Sequence, residues 1–584
     1  MVSLATVPQV SVRFPVDSRF VGDVAMIRRR CDACALLLSA SMICPPKSGN
    51  HSDRSGVWHS MKPLAVILFC LFLTVAAQAR VQLASPFTSH MVLQRNVPVP
   101  VWGTAAAGEV VTVEFAGQKE TATADAAGQW QLKLQPLTAS ADGRKFTVTG
   151  SQSAQPVELE DVLVGEVWLA SGQSNMDFSV SKKVKYFAGV ANEEQEIAVA
   201  NHPLVRMFTG NAAKAYTPQI NVAGEWQVCS PETVPAFSAV GYFFARDLQS
   251  EIHVPVGIIT LAFGASTAEA WIQRDALAAD PQLQPMLARF DAAVDAFRTN
   301  PPPVVAPPRS EDVSAPNGPA TNSTAKATGK KPRKRSTAPR DPIQDQHNPT
   351  VLFNGMIHPV IPFAIRGAIW YQGESIVGGT AGRALYPQVQ ATLVRNWRAL
   401  WGEGDFPFYI VQLAGQQADS NNPWVREAQA TILSLPNTGM AVAMDIGEAK
   451  NVHPHNKQDV GDRLARIARA NVYGEKIECS GPVYQSMKVE GGAIRITFSH
   501  LGGGLVAKDG PLKWFTIAGA DLKFVPADAK IDGDTVVVSS PAVSAPTAVR
   551  YAWVNFPEGC NLFNAAGLPA PQFRTDASAV KTGE

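Results

Sequence analysis

The sequence predicts an α/β protein in which helices cover a buried parallel sheet and a β unit flanks each end. Three observations lead there. Apolar runs at 162–170 (VLVGEVWLA), 254–264 (VPVGIITLAFG), 364–372 (AIRGAIWYQ), 406–414 (FPFYIVQLA) and 440–447 (MAVAMDIG) are too continuous for a sheet with one wet face. Helix-like stretches lie between and around them, at 238–252, 384–402 and 456–474. Outside this alternation the chain is cut into short strands by Gly, Pro and Asp.

At 584 residues, with 46% apolar residues, the chain exceeds one ordinary core. A net charge of +1 argues against a broad nucleic-acid surface, which needs a clustered positive field. Residues 1–60 carry turn formers and the basic run Arg28-Arg29-Arg30, without a period. They read as an upstream extension ahead of the true start at Met61. Residues 61–79 (MKPLAVILFCLFLTVAAQA) have a basic start, an apolar core and an A-x-A end, the pattern of a signal peptide. The expected product is exported to the periplasm or secreted, with no membrane anchor after cleavage.

Residues 80–155 follow as an N-terminal β domain, with alternation at Val111, Val113 and Phe115 and at Trp130, Leu132 and Leu134, read as a small sandwich. The main domain spans 156–475. Its helices show apolar spacing near 3.6, in Val240, Phe243, Phe244 and Leu248 and in Val460, Leu464, Ile467 and Ala468. A segment at 299–348, rich in Pro, Ser, Thr, Ala and Lys, interrupts it; with almost nothing to fill a core, it reads as a disordered insert. Its basic run, Lys330 to Arg335, reads as a solvated linker. Residues 476–576 return to strands as a C-terminal β unit, and 577–584 form a tail. After residue 79 the cysteines are Cys229, Cys479 and Cys560, allowing at most one disulfide, with no pairing readable.

Three polar islands stand where buried runs end. Gly172-Gln173-Ser174-Asn175-Met176 follows the first, and a helix beginning near Asn175 would put Ser174 at its N-terminus. There Ser174 is either a cap or a nucleophile beside free amides. Trp370-Tyr371-Gln372-Gly373-Glu374-Ser375 closes the third run, and its buried-side Gln and Glu must find partners. Asp445 to His455 closes the last and leads into a helix. Parallel strands bring such ends to one edge, where a hydroxyl, an imidazole and amide donors meet the needs of acyl transfer. No Walker loop, dinucleotide fingerprint or clustered ligand set appears, so neither a metal nor an organic cofactor is implied.

Together, GQSNM, WYQGES and the set Asp445, Gly447, His453, Pro454 and Lys457 resemble the sialate O-acetylesterase family of the SGNH hydrolases. The resemblance extends over about 81–576 and includes HMVLQRNVPVPVWGTA, VPVGIITLAFGASTAEAWI and GLPAPQFRTD. It implies a three-layer SGNH-type domain acting as a serine esterase on an O-acetylated sugar, foremost sialic acid. Acetylated xylan is the alternative substrate, and a non-catalytic glycan-binding module the alternative class. The implied nucleophile is Ser174, the base His453, and the oxyanion donors the amides of Ser174 and Gly264 with the Gln372 side chain. Asn451 stands where many members have Asp; either a Ser-His dyad suffices, or His453 is oriented by Asn451 or by another group such as Asp445 or Glu374. Ala265 replaces the second Gly of the family's pair, and Ile376 an Asn. Trp370 and Tyr371 are candidate sugar-stacking rings.

Overall fold

A computed structural model describes residues 80–300, 340–376, 380–417 and 421–576. The upstream extension, the signal-like segment, the 577–584 tail and residues 301–339 of the insert lie outside the described residues. The near end of the insert is placed: residues 340–348 include a short 3-10 turn, Pro342–Gln344, whose Gln344 carbonyl accepts from Lys214 Nζ at 2.6 Å. The insert is thus shorter than 299–348, because apolar Pro342 and Ile343 find cover there.

The central strands are β1 (Val92–Gln94), β2 (Val157–Gly172), β3 (His202–Thr209), β4 (Trp226–Cys229), β5 (Val256–Ala262), β6 (Gly367–Tyr371), β7 (Phe408–Gln412) and β8 (Thr438–Val442). β1 pairs in parallel with Leu163–Gly165 of β2, and the other seven run in the order β4-β3-β5-β2-β6-β7-β8, parallel except for the edge strand β4. All five predicted runs are in this sheet. β3 and β4 were not among them, since His202, Pro203 and Arg206 break the apolar run of β3.

The principal helices are α1 (Ala239–Ile252), α2 (Thr380–Trp401), α3 (Asn422–Ala430) and α4 (Gln458–Asn471). Ser238 caps α1 by accepting from Gly241 N. Trp168 of β2 is the register partner of Gly367, so Trp370, three residues on, faces the other way. Trp168 meets Phe244 of α1 at 5.1 Å, and Trp370 meets Trp397 of α2 at 5.8 Å. Helices therefore pack on opposite faces, and burying each such ring contributes roughly 1.5–3 kcal/mol.

Part of the N-terminal region joins the central sheet. Ser140–Gly150 pairs with the first half of the 16-residue β2, and Val110–Phe115 and Gln118–Thr123 extend the same sheet. One continuous strand thus runs from the N-terminal strands into the central sheet. Strands Val99–Thr104 and Gln129–Leu134, with Gln82–Leu83, make a second small sheet. The C-terminal strands have their own core around Ile494, Ile496, Val536, Val549 and Tyr551. Buried Arg426 of α3 ties them in, donating to the carbonyls of Val554 (3.1 Å) and Asn555 (2.9 Å) and to Gln572 Oε1 (3.2 Å). Cys229, Cys479 and Cys560 are all unpaired. Among the described residues, no helix is long and apolar enough to cross a membrane.

Candidate active site

β2 ends at Gly172, and no side chain fits there. Its φ is +138°, and a Cβ would stand 2.2 Å from the Tyr371 carbonyl oxygen. Gln173 N then donates to that same carbonyl at 2.9 Å, and the chain closes one turn as Met176 N and Asp177 N donate to Gln173 O. The helix expected from Asn175 does not form. Ser238 Oγ takes the Met176 carbonyl at 2.6 Å, and the Ala239 amide takes that of Phe178, so the following residues are spent on the approach to α1. Ser174 sits on an isolated turn at the sheet edge and is not a helix cap.

The three islands do converge. Ser174 Oγ and His453 Nε2 lie 2.8 Å apart, although the residues are 279 positions apart in sequence. A Cβ at Gly264 would stand 3.7 Å from Ser174 Cβ, so the loop after β5 lies against the hydroxyl. In that loop Ala265 holds φ +56°, a left-handed conformation that suits the glycine it replaces. Gln372 is fully buried: its Nε2 donates to Ser266 O (3.1 Å) and its Oε1 accepts from Tyr386 (2.8 Å). Gln173 Oε1 accepts from Gly373 N at 3.2 Å, clamping the first island to the second.

None of the three residues offered to orient His453 bonds its ring. Asn451 Oδ1 accepts from the His453 amide (3.0 Å) and its Nδ2 donates to the His453 carbonyl (2.7 Å). From two residues upstream it grips the backbone of a tight loop. Asp445 is in a double ion pair with Arg463, both contacts at 2.7 Å. Glu374 bonds Asn175 Nδ2. Trp370 and Tyr371 are 1% and 0% exposed, which removes them as sugar platforms; as inner residues of β6 they pack in the core.

Phe187 was not legible as part of the site, and Lys457, although in the motif, had no role assigned to it. Phe187 lies 4.8 Å from the His453 ring, on a segment without any motif. Beneath the turn, fully buried Lys457 donates to Asn175 Oδ1 at 2.6 Å, with its ammonium 4.6 Å from the Phe178 ring and 5.3 Å from that of Tyr371. Asn175 Nδ2 also donates to the Val452 carbonyl at 3.0 Å. Burial pulls Lys457 down to about 7 and holds the Glu374 carboxyl above its usual range.

Burial, then the charges of Lys457 and His455, lowers the His453 imidazole from 6.5 to about 4. The ring is therefore neutral and able to accept a proton over most of the working range. Because the protonated form cannot accept, activity is lost as pH falls through the lowered value. The pH profile of kcat/KM should hold its plateau down to about 4, and an acid midpoint near 6.5 would contradict this environment.

A serine hydroxyl bonded to a neutral imidazole, beside a loop glycine and a buried amide, is equipped for nucleophilic attack on an ester. A family model described as carbohydrate esterase, sialic acid-specific acetylesterase matches residues 346–470, which include Gln372 and His453. A sialate O-acetylesterase from Rattus norvegicus is 28% identical, over 88% of this chain and 98% of its own. The sialate O-acetylesterase from Homo sapiens is 26% identical, over 84% of this chain and 91% of its own. Among solved structures, a carbohydrate acetylesterase from Xanthomonas citri superposes with a TM-score of 0.70 at 35% identity, over 85% of this chain and 100% of that one.

Proposed function

The chain belongs to the sialate O-acetylesterase family of carbohydrate esterases, and from that premise we propose that it removes O-acetyl groups from sialic acid through an acetyl-Ser174 intermediate. The observation that carries the mechanism is the 2.8 Å Ser174–His453 contact.

His453, protonated at Nδ1, takes the Ser174 hydroxyl proton at Nε2 as Oγ attacks the acetyl carbonyl. The tetrahedral oxyanion is held by the amides of Ser174 and Gly264 and by the second Nε2 proton of Gln372, the first being committed to Ser266. Collapse breaks the bond to the sugar oxygen, which takes the proton from His453. Water, deprotonated by the same imidazole, then releases acetate and restores the serine. A non-catalytic binding module would have no use for a hydroxyl held on a depressed imidazole at a loop-lined edge.

In this reading the central sheet with helices on both faces is the three-layer SGNH arrangement, and the small sheets at the two ends are its flanking β units. The basic, apolar, A-x-A pattern of 61–79 supports export. The test of substrate is acetate release from 9-O-acetyl-N-acetylneuraminic acid against acetylated xylan. The sialate should show the higher kcat/KM, by about tenfold or more. Equal values or the reverse order would make neutral polysaccharide the substrate.

A further inference from the structure

We propose that the arm Lys182–Phe187 is the sugar subsite of this esterase: Tyr186 stacks on the sugar ring, Phe187 walls the ester, and the ammonium groups of Lys182 and Lys183 select an anionic sugar. The proposal rests on the acetylesterase reading and names the element that supplies its specificity.

The arm leaves the chain just after the Ser174 turn and returns beside His453. Its base is fixed. Gly189 N donates to Ser179 O (3.3 Å), Val190 N to Val180 O (3.0 Å), and Ser181 Oγ to Glu193 (2.6 Å). Lys185 is pinned inward, ion-paired with Asp177 and donating to the Asp177 carbonyl at 2.9 Å. Of the arm's aromatic rings, Phe187 packs 4.8 Å from the catalytic imidazole, and Tyr186 meets Phe187 edge-on at 5.5 Å.

Tyr186 is 97% exposed, and its edge contact with Phe187 sets it one ring away from His453. A tyrosine gains by covering its faces, and a pyranose offers an apolar C–H face of matching size. The placement next to His453 puts such a ring one residue from the reacting ester. Trp370 and Tyr371, being buried, leave this task unfilled.

Charge narrows the class of sugar. Lys182 and Lys183 are exposed, and among the described residues neither ammonium is in an ion pair. The nearby Glu193 carboxylate is occupied by Ser181 Oγ (2.6 Å) and the Lys182 amide (3.1 Å) at the base of the arm. Two unpaired cations on the arm that carries Tyr186 attract a carboxylate-bearing sugar and offer nothing to a neutral one.

The test compares Tyr186→Ala and the double variant Lys182→Ala/Lys183→Ala on three esters: 9-O-acetyl-N-acetylneuraminic acid, its carboxyl methyl ester, and p-nitrophenyl acetate. For Tyr186→Ala, KM should rise about tenfold with both sugar esters, several times more than with p-nitrophenyl acetate, while kcat changes less than KM. For the lysine variant, KM should rise for the free acid and much less for its methyl ester, and added salt should erase the difference. An equal factor on all three esters would mean a structural effect and overturn the subsite. Sialate kinetics unmoved by Tyr186→Ala would overturn it while leaving the esterase reading intact. A wild-type protein that cleaves p-nitrophenyl acetate and not the sialate would instead reject the substrate class. Association of wild type, abolished by Tyr186→Ala with sialate KM unchanged, would assign the arm to a second copy of the chain and overturn the proposal.

Discussion

Ser174→Ala should lower kcat for p-nitrophenyl acetate and for the sugar ester by about 10⁴–10⁶, and His453→Ala by a similar factor. In the proposed mechanism the two residues act as one unit across a 2.8 Å contact, so the double variant should be no slower than the worse single. What survives is the contribution of substrate binding and of the Gly264 and Gln372 donors, which neither substitution removes. Folding should be barely affected, because Ser174 is partly exposed and its partner is a neutral ring. Unchanged circular dichroism together with lost turnover is therefore the expected pair of results. A Ser174→Ala protein retaining more than about a hundredth of wild-type kcat would end the serine mechanism, since a missing oxyanion donor alone costs that much.

Much of this arrangement was legible in the sequence because it depends on short-range patterns. A run such as VPVGIITLAFG is buried on both sides whatever its partners, and β5 is the strand it predicts. Polar residues at the ends of parallel runs must share one edge, which brings Ser174, Gln372 and His453 together on topology alone. What was not legible depends on which atom of a residue finds which neighbour. Asn451 stands two positions before His453, the right spacing for an orienting group, yet it bonds the backbone on both sides. Trp370 and Tyr371 precede the polar turn and read equally well as rim or core until the register places them inside β6. The helix expected at Asn175 is locally plausible and is displaced by a tertiary competitor, the Ser238 hydroxyl on the Met176 carbonyl.

The proposed dyad has no carboxylate hydrogen-bonded to His453 Nδ1 among the described residues. Its geometry must come from somewhere else, and Asn175 is placed to supply it. Next to Ser174 in sequence, Asn175 also bonds the carbonyl of Val452, the residue before His453. One side-chain amide thus ties the backbone of the nucleophile to the backbone of the base. Lys457 holds that amide's oxygen at 2.6 Å, and Glu374 accepts from its nitrogen.

Lys457→Met should consequently lower kcat by about 10², with KM changed much less, because a slight misplacement of reacting groups costs that much. It should also destabilise the fold by about 1–3 kcal/mol, since it leaves the buried Asn175 oxygen without its donor and removes a charge that favours the Glu374 carboxylate. Adding Glu374→Gln should return part of the stability, as it removes the uncompensated acid, while restoring little turnover. The pH profile separates positioning from simple loss of packing. Lys457 is one of the charges holding His453 at about 4, so removing it should move the acid limb upward, towards 6.5. Packing loss alone would lower the plateau and leave the limb in place. An unmoved limb with full turnover would mean that the buried Lys457–Asn175–Glu374 chain has no part in aligning the dyad.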